Sequence, residues 1–124
     1  MPLEITITDD PKEGKRIALA GSLDTATAPQ LQDKIDEHVD AGVHMVIMDF
    51  RRLEFLSSAG LRVIFRTKKL MDSHNGRFLL LNLQPQVRKV FEIIKALDGM
   101  NVFKDQEEMD EYLTAMQNKV LNGE

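Results

Sequence analysis

Between Val43 and Phe50 the chain is a nearly unbroken apolar run, interrupted only by His44 and Asp49. A half-buried strand alternates apolar and polar residues. A continuous run reads instead as a strand buried on both faces, as in parallel sheets covered by helices. Beyond it the period becomes helical: Leu61, Ile64, Phe65 and Met71 recur on one side, with Arg62, Arg66 and Lys69 largely on the other. The segment from Met48 to Ile64 is therefore a strand, a short loop and a helix entry, with Ser57 and Ser58 at the helix N-terminus. A helix concentrates unpaired N–H groups and partial positive charge there. A serine in that place is either an N-cap, contributing about 1 kcal/mol, or a modification or anion site. With adjacent serines one can cap while the other is spare.

The rest of the chain fits around this unit. Leu3, Ile5 and Ile7 alternate with Glu4, Thr6 and Thr8, a half-buried strand. A turn from Asp9 to Gly14 leads into a second strand from Arg16 to Gly21, with Ile17 and Leu19 on one face and Ala18 and Ala20 on the other. So tight a reversal predicts an antiparallel pair. Thr27-Ala28-Pro29-Gln30 fits a capping box, and Leu31, Ile35 and Val39 mark the helix that follows. The run from Phe78 to Leu83 is a further buried strand. Pro85 then opens a helix with Val87, Val90, Phe91, Ile94 and Leu97 on one face. Asn101 to Phe103 is a candidate edge strand, and Asp105 caps a last helix striped by Met109, Tyr112, Leu113, Met116 and Val120. Gly42, Gly76 and Gly99 each follow a helical segment and read as left-handed C-terminal caps. Repeated strand-helix-strand units imply parallel pairing with right-handed crossovers. The expected fold is α/β, a mixed four- to five-stranded sheet with an antiparallel first pair and about four helices. One domain is expected over residues 1–118, with a frayed tail at 119–124.

Composition removes several function classes. The absence of cysteine excludes disulfides, thiolate zinc sites and cysteine nucleophiles. A formal net charge of -4 argues against a nucleic-acid partner, which usually leaves a basic footprint. The basic residues from Arg62 to Lys69 read as a solvated helix face. No apolar run approaches the roughly 20 residues of a membrane span, and Met1-Pro2-Leu3-Glu4 does not resemble a signal peptide, so a cytoplasmic protein without a membrane partner is expected. His38, His44 and His74 form no close motif, and neither GxGxxG, GxxxxGK[ST] nor GxSxG occurs. No metal, cofactor or catalytic group is therefore expected. The acids Glu107, Glu108, Asp110 and Glu111 favour the dipole of the last helix.

Asp24 is the more informative acid. It lies on a loop between a strand and a helix, as Ser57 and Ser58 do. If the preceding strands are parallel, the two loops leave the sheet at the same edge. Asp24 is then either a turn aspartate bonded to its own backbone or a neighbour of Ser58.

The order Asp49-Phe50, Leu53, Phe55-Leu56, Ser57-Ser58-Ala59-Gly60-Leu61, preceded by Gly21-Ser22-Leu23-Asp24, resembles the signature of STAS domains, the family of anti-sigma factor antagonists. The resemblance covers roughly Leu3 to Ala115. It implies the STAS fold and a non-enzymatic protein that binds an anti-sigma factor. That partner is itself a serine kinase of the histidine-kinase-like ATPase fold. The resemblance further implies phosphorylation of the serine two residues before the motif glycine, which is Ser58, with Ser57 as the alternative. The unphosphorylated domain would release the sigma factor, and a PP2C-type phosphatase would reset the cycle. The switch loops would be Asp24, Thr25, Ser57, Ser58, Ala59 and Gly60, in a chain monomeric when free. Where the family commonly has Asp-Ser-Ser-Gly, Ser57 replaces the aspartate and Ala59 the second serine. Other functions within the resemblance are a constitutive binding module of a transport or scaffold complex, and a small-ligand or nucleotide site at the same loops.

Overall fold

A computed structural model describes residues 2–10, 14–93 and 99–121, with side chains described through residue 116. The elements are β1 (Leu3–Asp10), β2 (Gly14–Leu23), α1 (Ala28–His38), β3 (Met45–Leu56), α2 (Ser58–Ser73), β4 (Arg77–Leu81), α3 (Pro85–Ile93), β5 (Asn101–Phe103) and α4 (Gln106–Leu121). They form a five-stranded sheet in the order β1-β2-β3-β4-β5. β1 pairs antiparallel with β2, and every later pair is parallel. The short strand at Asn101–Phe103 is the outer edge.

Chain order equals strand order, so each parallel crossover steps the same way across the sheet. Right-handed crossovers then place α1, α2 and α3 on one face. Among the described residues α4, which connects no strands, covers the other. The packing follows this division. Val46, Met48, Phe50 and Leu80 belong to a large core with Leu31 and Ile35 of α1, Ile64 and Met71 of α2, and Phe91 of α3. Met45, Ile47, Leu79 and Leu81 point the other way, onto Met109 and Leu113 of α4. That is why the apolar run in β3 is continuous.

Several local expectations give way to tertiary contacts. The residues between Phe50 and Ser57, expected as loop, are strand. β3 is lengthened past β2 by register shifts between Ala18 and Ala20 and between Gly21 and Ser22. These bulges space the inward residues three apart, so Phe50, Leu53 and Leu56 all enter the same core. β4 ends at Leu81, two residues before the expected Leu83, because Asn82 turns to φ 60°. The capping box at Thr27 does not form; Gln30 instead donates to the Leu3 carbonyl, 3.1 Å away. Of the glycines read as left-handed caps, only Gly99 has positive φ, 78°. At the end of α2 the left-handed residue is Asn75, φ 61°. Gly76 follows it, donating its N–H to the Met71 carbonyl at 2.7 Å, while the Asn75 N–H reaches Asp72 at 3.3 Å. This is a Schellman ending with asparagine in the turn position. Ile94, Leu97, the side chain of Val120 and most of the expected tail lie outside the described residues.

Asp49 joins four elements on the α4 side of the sheet. Its carboxylate accepts from Arg16 of β2 at 2.9 Å, from Asn82 beyond β4 at 3.1 Å and from the Arg51 N–H at 3.0 Å. Arg16 also donates to Gln106 of α4 at 2.6 Å. Burial pushes the Asp49 carboxyl up, but the bonds from Asn82, Arg51 and Arg16 outweigh it and leave its pKa below the ordinary value.

Candidate functional site

The last rungs of the β2–β3 ladder bring the two candidate loops together. Leu23 pairs with Leu56, and the Ser57 N–H donates to the Leu23 carbonyl at 2.9 Å. Asp24 follows Leu23 and Ser58 follows Ser57, so parallel pairing delivers both loops to one edge. Glycines permit the approach on each side. Gly21, at φ 101°, has its Cα so close to the Pro2 carbonyl that a Cβ would stand 2.1 Å from that oxygen. The Ser22 N–H donates to the same carbonyl, 3.2 Å away. Gly60 rests on Leu23 and Leu56, where a Cβ would stand 2.6 Å from Leu23 Cγ.

The adjacent serines divide the possible roles. Ser57 is the N-cap of α2, its Oγ accepting the Gly60 N–H at 3.3 Å. Ser58, the first residue of the helix, is exposed, and its hydroxyl has no hydrogen-bond partner among the described residues. Among the described residues neither a histidine nor a carboxylate is bonded to it, the kind of neighbour that activates a serine nucleophile. It is a free hydroxyl offered at the surface.

Asp24 is a turn aspartate. Its Oδ1 accepts from the N–H groups of Ala26 at 2.9 Å and Thr27 at 3.0 Å. The Thr27 hydroxyl accepts from the Asp24 N–H at 2.9 Å and donates to the Ser22 carbonyl at 2.8 Å. This explains why Thr27 makes no conventional cap: its oxygen is engaged in closing the loop. The Thr27 N–H bond, more than the Thr27 hydroxyl or the Ala26 N–H, holds the Asp24 carboxyl below its usual pKa. Asp24 is therefore a fixed negative charge at neutral pH. Among the described residues no hydrogen bond joins it to Ser58.

Shallow grooves flank the serines. Thr25, Ala59 and Arg62 border one of about 350 Å³ between α1 and α2. Ser58 and Arg62 border another of about 330 Å³ between α2 and α3, floored by Leu61, Phe65, Val90 and Ile93. Ile93 is 73% exposed, and Phe55, beside Ser22 in the ladder, is 52% exposed. Sequence reasoning did not single out Ile93, and it quoted Phe55 only within the motif. The bulge that turns Phe55 outward leaves no mark in its own residue type. Arg51 and Arg52 line a separate groove with Glu4, Glu54 and Gln86, of which Asp24, Ser57 and Ser58 are no part. His74 donates Nε2 to the Val43 carbonyl at 2.8 Å, with His44 edge-on to it, ring centroids 6.5 Å apart. This pair ties the α2–β4 turn to the start of β3. No described helix is long and apolar enough to cross a membrane.

The sequence profile of the STAS domain matches residues 4–109. Over 88 residues, 70% of this chain and 76% of the relative, the sequence is 41% identical to a Bordetella bronchiseptica protein designated an anti-sigma factor antagonist, BtrV. Among solved structures, the anti-sigma factor antagonist SpoIIAA in its unphosphorylated form superposes with a TM-score of 0.71 at 26% identity, covering 92% of this chain and 98% of that one. The Bacillus cell fate determinant SpoIIAA in its phosphorylated form superposes with a TM-score of 0.69 at 27% identity, covering 88% and 99%.

Proposed function

This chain belongs to the STAS domain family, and from that premise we propose that it is an anti-sigma factor antagonist that works by partner switching. Unphosphorylated, it binds an anti-sigma factor serine kinase of the histidine-kinase-like ATPase fold through the edge formed by Asp24, Thr25, Ser57, Ser58, Ala59 and Gly60. The kinase passes the γ-phosphoryl group of ATP to Ser58 Oγ, releasing ADP and a proton, and the complex ends. A PP2C-type phosphatase hydrolyses the ester and restores binding. The chain contributes a surface and an acceptor, with no catalysis or cofactor of its own.

The observation that carries this reading is the division between the serines: Ser57 Oγ is engaged by the Gly60 N–H, and Ser58 is exposed and unengaged. Modifying Ser57 would cost the helix its cap; modifying Ser58 costs the fold no bond. Relatives support it too, since SpoIIAA has been solved in phosphorylated and unphosphorylated forms. Electrostatics supplies the switch. A phosphate adds about -1.5 to -2 charge at pH 7. The N-terminus of α2 accommodates that charge in the free domain. In an interface beside the Asp24 carboxylate it meets like charge and loses hydration.

The test is mass analysis after incubation with ATP and the cognate kinase, with affinities of two variants. One phosphate mapping to Ser58 and removed by the phosphatase supports the switch. Ser58→Ala should stay bound, while Ser58→Asp should bind at least about tenfold more weakly, or ~1.4 kcal/mol. Equal affinities, or no phosphate from a kinase active on another substrate, would sink it.

A further inference from the structure

We propose that Arg62 is the counter-ion of the Ser58 phosphate, captured within the same helix; the inference rests on the reading of Ser58 as the modified residue. Ser58 and Arg62 are both in α2, four residues apart, so they stand one above the other on the same face, their Cβ atoms roughly 6 Å apart. A phosphate on one and a guanidinium on the other meet without any movement of the backbone. The anion lies N-terminal to the cation, the favourable sense for such a pair. Both residues border the groove between α2 and α3, and Arg62 is the only charged side chain among the described residues that does so.

The other cations of α2 show why Arg62 is the available one. Arg66 donates to Gln32 of α1 at 3.3 Å, Lys68 is paired with Asp72 at 2.6 Å, and Lys69, exposed and without a partner among the described residues, is eleven residues from Ser58, about three helical turns away. Arg62 is exposed and has no hydrogen-bond or ion-pair partner among the described residues. Capturing a phosphate therefore breaks no existing bond. Arg62 also borders the groove reached by Thr25, the residue after Asp24 in the chain, so its charge would offset repulsion from that loop in the free protein. Before phosphorylation the same guanidinium is open to a carboxylate of the partner. Phosphorylation then acts twice on the contact face, adding an anion and withdrawing a cation. The planar fork of arginine suits a phosphate in two-point contact better than lysine does.

The experiment installs phosphoserine at position 58 during translation of the full chain, with Arg62, Arg62→Gln or Arg62→Lys, and titrates the phosphate by phosphorus NMR. An unpaired phosphoserine has its second pKa near 6. With Arg62 present it should titrate about 0.3 pH unit or more below its value in Arg62→Gln, a proton affinity about twofold lower. Arg62→Lys should recover part of the difference, and 1 M salt should shrink it. The same titration midpoint in the Arg62 and Arg62→Gln proteins would overturn the pairing. Arg62 is exposed, so these variants keep the fold. Whether the kinase uses Ser58 is read separately, by mass on the unmodified chain. Failure there overturns the modification reading, while the phosphorus titration still decides the pairing.

Discussion

Replacing Gly60 with alanine sets two opposed effects against each other at one atom. Gly60 lies in the first turn of α2, and a helix by itself prefers alanine to glycine by up to about 1 kcal/mol. The new methyl, however, would stand 2.6 Å from Leu23 Cγ, 2.9 Å from Leu23 Cδ2 and 2.9 Å from Leu56 Cδ1. Optimal carbon contacts are about 3.5–4.0 Å, so something must shift. Leu23 is fully buried and Leu56 nearly so, which leaves neither room to turn aside. Inserting a methyl into such packing costs about 1–3 kcal/mol. The clash involves the branch point of a side chain, so the upper part of that range applies, and the net loss is about 1–2 kcal/mol. For a chain of this size that lowers Tm by roughly 4–8 °C. The assay is urea unfolding, with the midpoint falling and the slope unchanged. A double-mutant cycle isolates the cause. Leu23→Ala alone should cost about 2–5 kcal/mol. In that background Gly60→Ala should be neutral or stabilising, a coupling of about 2 kcal/mol. Additive effects, or a Gly60→Ala protein more stable than the parent, would refute the close-approach account of this glycine.

The serines predict unequal stability effects from chemically identical changes. Ser57→Ala removes the acceptor of the Gly60 N–H and should cost about 1 kcal/mol. Ser58→Ala should leave the unfolding free energy from urea titration within about 0.5 kcal/mol of the parent; the reverse order would mean that the cap has been assigned to the wrong residue. Asp49 predicts a pH dependence. Its folded pKa lies below the ordinary aspartate value, so the stability it contributes is complete above the unfolded pKa and is lost as pH falls through the folded one. Comparing parent and Asp49→Asn from pH 7 to pH 2.5, the gap in stability should be widest near neutrality and should close in acid. A gap independent of pH would show that the Arg16 and Asn82 bonds do not depend on the charge.

Much of the architecture was legible because it depends on short-range pattern. The apolar run of β3, the alternation in β1 and the helical stripe of α2 each report a period that one element imposes on its own residues. The pair Ser57 and Ser58 marked a helix start for the same reason, and Asp105 caps α4 as expected, accepting the Glu108 N–H at 2.9 Å. Where a residue's partner lies far away in the chain, the pattern fell silent. Thr27 has the residue type of a cap, yet the loop beginning at Ser22 takes its hydroxyl. Gln30 fits the capping box but reaches Leu3 of another strand. Asn75, not a glycine, takes the left-handed turn after α2, while Gly76 serves a different need, the close approach to Met71 and His44.

The sequence alone determined that the chain is α/β, that its first strands are antiparallel and the later ones parallel, and that a serine pair opens the helix after the buried strand. These follow from periodicity and caps, which are properties of neighbours in the chain. Only the tertiary structure decided which serine is the cap, that β3 runs on through two bulges to Leu56, that Asp24 is held by its own turn, and that Arg62, one turn on from Ser58, is without a partner among the described residues. Each of these is a competition for a hydrogen-bonding group or a volume, and the competitors meet only when distant segments pack.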